Sequence, residues 1–114
     1  MSTGAVVYTE QAERDLRGIY EYIAFDLCEP EIAQRQAKRI MEAVAKLDQM
    51  PLRYPLYERG SWASKGLRVL PVDRYLAFYQ PLEEGQTVVV VRIMYGGRDV
   101  VEQLRKTQAY APRV

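Results

Sequence analysis

The 114-residue chain predicts an α+β fold: an antiparallel helical hairpin packed on a twisted antiparallel sheet, with a strand before the hairpin and a short helix after the sheet. Three observations carry that expectation. Apolar residues recur at helical spacing through the first half, and from Gly66 onward they form alternating or continuous runs. The connections between those later runs are short enough for hairpins. At 48% hydrophobic, the chain reads as one domain able to bury a core without disulfides or metals.

Residues 5–8 are a short apolar run and a strand candidate. Thr9 suits a helix N-cap, with Glu10 and Glu13 beside the positive end of the helix. Ala12, Leu16, Ile19, Tyr20 and Ile23 then repeat at helical spacing, leaving Glu10, Glu13, Arg14, Arg17 and Glu21 to the other faces. Pro30 breaks the run and fits the first turn of a second helix, whose stripe is Ala33, Ala37, Ile40, Met41, Val44 and Leu47. Both stripes are read as core surfaces. Residues 50–65, with Pro51, Pro55, Gly60 and no period, predict a loop anchored by Tyr57 and Trp62.

Strands follow at 66–72, 75–82 and 87–95, joined by Asp73-Arg74 and by Glu83-Glu84-Gly85-Gln86 into an antiparallel meander. The helical pair is expected on one sheet face, which leaves the other to solvent or ligand. Asp99 is placed to cap or start a short helix through Val100, Val101 and Leu104, and 107–114 reads as a mobile tail.

The single cysteine, Cys28, excludes an intramolecular disulfide, and no apolar run is long enough to span a bilayer or serve as a leader. A reduced cytoplasm is the expected setting, with no membrane partner. Cys28 stands beside Leu27 with no histidine to pair with, so it is read as a buried structural thiol. The absence of histidine removes the commonest general base and the commonest metal ligand, and neither metal nor cofactor is expected. A net charge of +1 conceals an asymmetry: residues 1–52 carry six Lys/Arg against nine Asp/Glu, and residues 53–114 carry ten against six. The basic surface therefore belongs to the half that forms the sheet.

The stretch from Thr87 to Asp99 runs from four valines through Arg92-Ile-Met-Tyr95 into Gly96-Gly97-Arg98. Four valines predict a strand covered on both faces, and the period of two places Val88, Val90 and Arg92 on one side. Gly96 and Gly97 permit a tight turn. Lys65, Arg68, Arg74, Arg92 and Arg98 all fall on the sheet or its connections and form a candidate target- or RNA-binding surface. Arginine forks suit phosphate and tyrosine rings suit stacked bases, while an acidic protein partner fits the same mixture. Against this, Arg68 and Arg74 can pair with Asp73, Glu83 or Glu84 across strands. Tyr95, at a strand end beside glycines, is a candidate for proton transfer, although a phenol titrates near about pH 10 and needs help to act as a base. Cleaving RNA through its own 2′-hydroxyl needs a base, an acid and cations, and here only the cations are evident.

Ala12-Glu-Arg-Asp-Leu-Arg-Gly-Ile-Tyr-Glu-Tyr-Ile-Ala24, Gly66-Leu-Arg-Val-Leu-Pro-Val72, Tyr75-Leu-Ala-Phe-Tyr79 and Val91-Arg-Ile-Met-Tyr-Gly-Gly-Arg-Asp99, in that order and spacing, resemble the RelE/ParE superfamily of bacterial type II toxins. The resemblance spans most of the chain. It implies the RelE/ParE-like fold, a toxin that arrests growth, and a cognate antitoxin partner in a possible hetero-oligomer. It leaves two targets open. RelE-like members are ribosome-dependent endoribonucleases that cut messenger RNA without a metal, and for that activity the resemblance implies Arg68, Arg92, Tyr95 and Arg98 as the catalytic set. ParE-like members poison DNA gyrase and are not nucleases. Leu76 stands where RNase members carry arginine, and with the missing histidine this favours the ParE-like mode. A degenerate toxin that only binds antitoxin is a third possibility.

Overall fold

The structure of the protein is a computed structural model that describes residues 5–97 and 99–107. The chain runs β1 (Ala5–Tyr8), α1 (Glu10–Glu21), a π-helical turn (Tyr22–Asp26), α2 (Pro30–Ala45), β2 (Arg68–Val72), β3 (Tyr75–Leu82), β4 (Thr87–Tyr95) and α3 (Val100–Arg105). The strand order is β1-β4-β3-β2. Strands β2, β3 and β4 form the expected antiparallel meander, whereas β1 pairs parallel to β4 and makes the sheet mixed. Parallel pairing needs a long crossover, and here the helices and two strands supply it.

Thr9 ends β1 and caps α1. Its Oγ1 accepts the Ala12 N–H at 3.0 Å, and its hydroxyl donates to the Val91 carbonyl at 3.0 Å, so one side chain fixes the helix start and ties it to β4. Ala12 of α1 and Ile40 and Val44 of α2 are then buried against Leu70, Ala77, Tyr79, Val88 and Val90. This is the core expected from the two helical stripes. No helix among the described residues is long and apolar enough to cross a membrane.

The second sheet face, expected to be open, is covered. Phe78, Val89, Val91 and Met94 pack there with Trp62 and Leu67 from the preceding loop and with Val100 and Leu104 of α3. The Trp62 indole N–H donates to the Leu104 carbonyl at 2.8 Å, which satisfies an acceptor at the end of α3. Burial on both sides is the physical reason for four successive valines.

Cys28 corrects a second expectation: its thiol is exposed. The π-helical turn ends α1, and Cys28 follows it with φ 57, a left-handed conformation at the tip of the helical hairpin. Its thiol donates to the Phe25 carbonyl at 3.5 Å. At the other end of the hairpin, residues 50–54 are clamped to the sheet. The Tyr79 phenol donates to the Pro51 carbonyl at 2.9 Å, and Arg68 Nη1 donates to the Tyr54 and Leu52 carbonyls at 2.6 and 3.2 Å. Gly85 lies under the same loop with φ +89, where a Cβ would come within 2.8 Å of Pro51 Cγ.

Candidate functional site

The site is built around the end of β4. Strand β1 pairs only with Thr87 to Val90, so beyond that point the outward N–H groups of β4 need other partners. Asp15 of α1 supplies one, its Oδ2 accepting the Ile93 N–H at 2.9 Å. The same carboxylate takes both arms of Arg92, Nε at 2.7 Å and Nη2 at 3.0 Å. Arg92 Nη1 donates to Thr107 Oγ1 at 3.0 Å, and the Thr107 hydroxyl donates to the Gln103 carbonyl. One buried ion pair thus joins α1, β4 and the segment that follows α3.

Arg92 does not present its charge outward, as the sequence suggested. Its side chain is 9% exposed and that of Asp15 is 14%. A register shift explains the difference. Phe78 opposes Arg92 while its neighbour Tyr79 opposes Val90, so Val91 is an extra residue in β4. The bulge moves Arg92 off the Val88 and Val90 face and onto that of Phe78, at the edge where Asp15 waits.

The remaining candidates separate into two groups. Tyr95 opposes Tyr75, and the rings meet edge to face with centroids 5.7 Å apart. Arg74, in the β2–β3 turn, is at the same end, its carbonyl accepting the Gly96 N–H at 2.8 Å. Arg68 opposes Tyr79, about 13 Å further along β2 at roughly 3.3 Å per residue, and its guanidinium holds the loop carbonyls. Lys65 lies over the Trp62 ring at 5.7 Å. Neither Arg68 nor Arg74 pairs with Asp73, Glu83 or Glu84; Asp73 instead receives Arg39, at 2.8 and 2.7 Å, and Gln36. Arg98 lies outside the described residues, as does 108–114. Asp99 precedes α3 without a side-chain cap bond, its carbonyl accepting the Gln103 N–H.

Tyr95 opens onto a cleft of about 690 Å³ between α1, the ends of β3 and β4, and α3. Gly18, Tyr22, Tyr75, Tyr95, Gly97 and Gln103 are among its lining residues. Tyr95 and Tyr22 are 57% and 54% exposed. Burial, then the proximity of the Tyr95 and Tyr22 phenols, raises the pKa of Tyr75 above 10.0, so this phenol stays protonated at neutral pH. The cleft therefore offers tyrosine rings and a protonated Tyr75 phenol beside the charged side chains of Arg14, Asp15 and Asp99, of which Asp15 is already engaged by Arg92. Sequence reading did not single out Tyr22, Tyr75 or Gly18. Gly18 carried a usable signal, because a glycine in mid-helix costs about 1 kcal/mol relative to alanine. Nothing lies within 4 Å of where its Cβ would stand, so packing does not require it.

Residues 6–100 match the family described as ParE toxin of type II toxin-antitoxin system, parDE. The chain belongs to the ParE toxin family. This ParE-family toxin is similar in structure to a chain of the chromosomal ParDE system from P. aeruginosa, at 23% identity and a TM-score of 0.66, with 82% of this chain and 96% of that one covered. It is also similar to a chain of the RelBE2 toxin-antitoxin complex from Mycobacterium tuberculosis, at 26% identity and a TM-score of 0.58, with 83% of this chain and 93% of that one covered. No curated protein sequence matches it. The superfamily expected from the sequence motifs is thereby confirmed for this ParE-family toxin, as is its α+β fold.

Proposed function

We propose that this toxin arrests growth in the ParE-like manner, by docking on DNA gyrase without cutting RNA, and that a cognate antitoxin holds it inactive in a hetero-oligomer. The observation that carries the reading is the burial of Arg92. Phosphate cleavage needs cations converging on one point, yet Arg92 is neutralised by Asp15 and Arg68 holds backbone carbonyls. Leu76 brings no charge, and a protonated Tyr75 brings no base. What the cleft does offer is exposed tyrosine with bare helix backbone at Gly18, a surface suited to close contact with another protein. Tyr95, Arg74 and Arg98 are the residues assigned to target contact, and Lys65 lies apart from them.

The test pairs two assays on purified toxin. Gyrase supercoiling should be blocked, and messenger RNA in a translation extract should remain intact. Codon-phased cuts with normal supercoiling would establish the RelE-like alternative, in which Tyr95 assists proton transfer. Tyr95→Ala and Arg98→Ala should each relieve growth arrest while Tyr95→Ala leaves the thermal midpoint nearly unchanged, because Tyr95 is exposed. Full toxicity in both variants would remove these residues from the contact.

A further inference from the structure

A second groove lies on the opposite flank of the helical hairpin, between α2, the loop after it and β2. Its volume is about 580 Å³, and Ala43, Leu47, Leu70 and Val72 contribute apolar surface to it. Met50, 55% exposed, stands among the lining residues. Four charged residues line the same groove: Arg39, Lys46, Arg53 and Asp73. Arg39 and Asp73 neutralise each other through their two-armed pair. Lys46 and Arg53 have no carboxylate partner among the described residues, and Arg53 lies over the Tyr54 ring at 5.6 Å. An apolar trough thus carries two uncompensated positive charges.

We propose that this groove docks an acidic peptide segment of a protein partner, with aliphatic side chains entering the trough and carboxylates meeting Lys46 and Arg53. The charge complement is specific, because the Arg39–Asp73 pair leaves a surplus of one sign only. Tyr54 is the one aromatic residue in the lining and Arg53 lies over its ring, so the mainly aliphatic trough favours leucine-like anchors over a run of stacked bases. The presentation is built into the fold. Arg68 and Tyr79 clamp the carbonyls of Pro51, Leu52 and Tyr54, and Arg53 projects from this fixed loop. The groove shares no lining residue with the tyrosine cleft, so the proposal stands whether or not gyrase is the target.

The experiment uses the full chain and a synthetic helical peptide with leucines along one face and glutamates flanking them. Nuclear magnetic resonance shifts should map to Lys46, Met50 and Arg53, and a control peptide with glutamine for glutamate should bind more weakly. Lys46→Glu and Arg53→Glu should each weaken binding about tenfold. Lys46→Arg should retain it, and the thermal midpoints should match that of the parent chain. Equal binding of the glutamine peptide, indifference to both charge reversals, or shifts confined to Tyr22, Tyr75 and Tyr95 would overturn the proposal. So would displacement of the peptide from this groove by a single-stranded RNA oligonucleotide that binds the parent chain more tightly and loses that affinity in Arg53→Glu.

Discussion

Asp15 shows how much one side chain can be asked to do. Its two oxygens accept from Arg92 Nε, Arg92 Nη2 and the Ile93 N–H, all within 3.0 Å. Asp15→Ala leaves a buried guanidinium and an edge amide without their partner, at a cost of about 3–5 kcal/mol. Replacing both members by apolar residues, as in Asp15→Leu with Arg92→Met, should cost far less, and urea denaturation of the two variants checks the contrast. The exposed pair between Arg39 and Asp73 behaves differently. Hydrogen bonds from Arg39 and then Gln36 hold the Asp73 carboxyl below its ordinary 3.8. A lowered folded-state pKa contributes stability that is present above pH 3.8 and is lost as pH falls through the folded value. Carbon-detected titration of Asp73 should give a midpoint below 3.8, and a midpoint at or above it would show that the tether to α2 does not persist in solution.

Among the elements, α1 carries the clearest separation between what folding needs and what it tolerates. Gly18 is exposed, and an added Cβ would meet nothing within 4 Å. Gly18→Ala should therefore stabilise the chain by about 0.5–1 kcal/mol, through helix propensity and a less flexible unfolded state. Equilibrium denaturation decides this, and a loss of stability would mean that α1 needs bare backbone here. The helices and strands themselves were legible because their apolar residues keep a period. Helix α1 ran past its last regular turn into the π-helical turn at Tyr22–Asp26, and composition carries no mark of that change. The cover over the second sheet face was illegible for a related reason: Trp62 sits in a stretch with no period, and nothing local says which face it will meet.

At the scale of the whole molecule, what escaped sequence reading was contact between distant parts of the chain. Asp15 and Arg92 are 77 positions apart, and Arg39 and Asp73 are 34 apart. Lys65, Arg68, Arg74 and Arg92 do lie on the sheet or its connections, but charge count could not separate those already paired from those left over. The structure divides them. Arg92 and Arg68 hold the fold together, whereas Arg74, Lys46 and Arg53 face solvent without a carboxylate partner among the described residues. Two separate grooves flank the helical hairpin as a result, one rich in tyrosine and one rimmed by positive charge.

The extra residue at Val91 gives β4 a property that neither groove reveals. Exchanging one side chain for another leaves the phase of the strand intact, so Arg92 keeps facing its carboxylate however its neighbours vary. Loss of a single codon in the run of valines would remove only the bulge, leaving Val90 opposite Tyr79 and Arg92 opposite Phe78, whereas gain of one would put two extra residues between those pairs. For a gene encoding this chain, the valine run is forgiving of misspelling and bears a codon lost better than a codon gained.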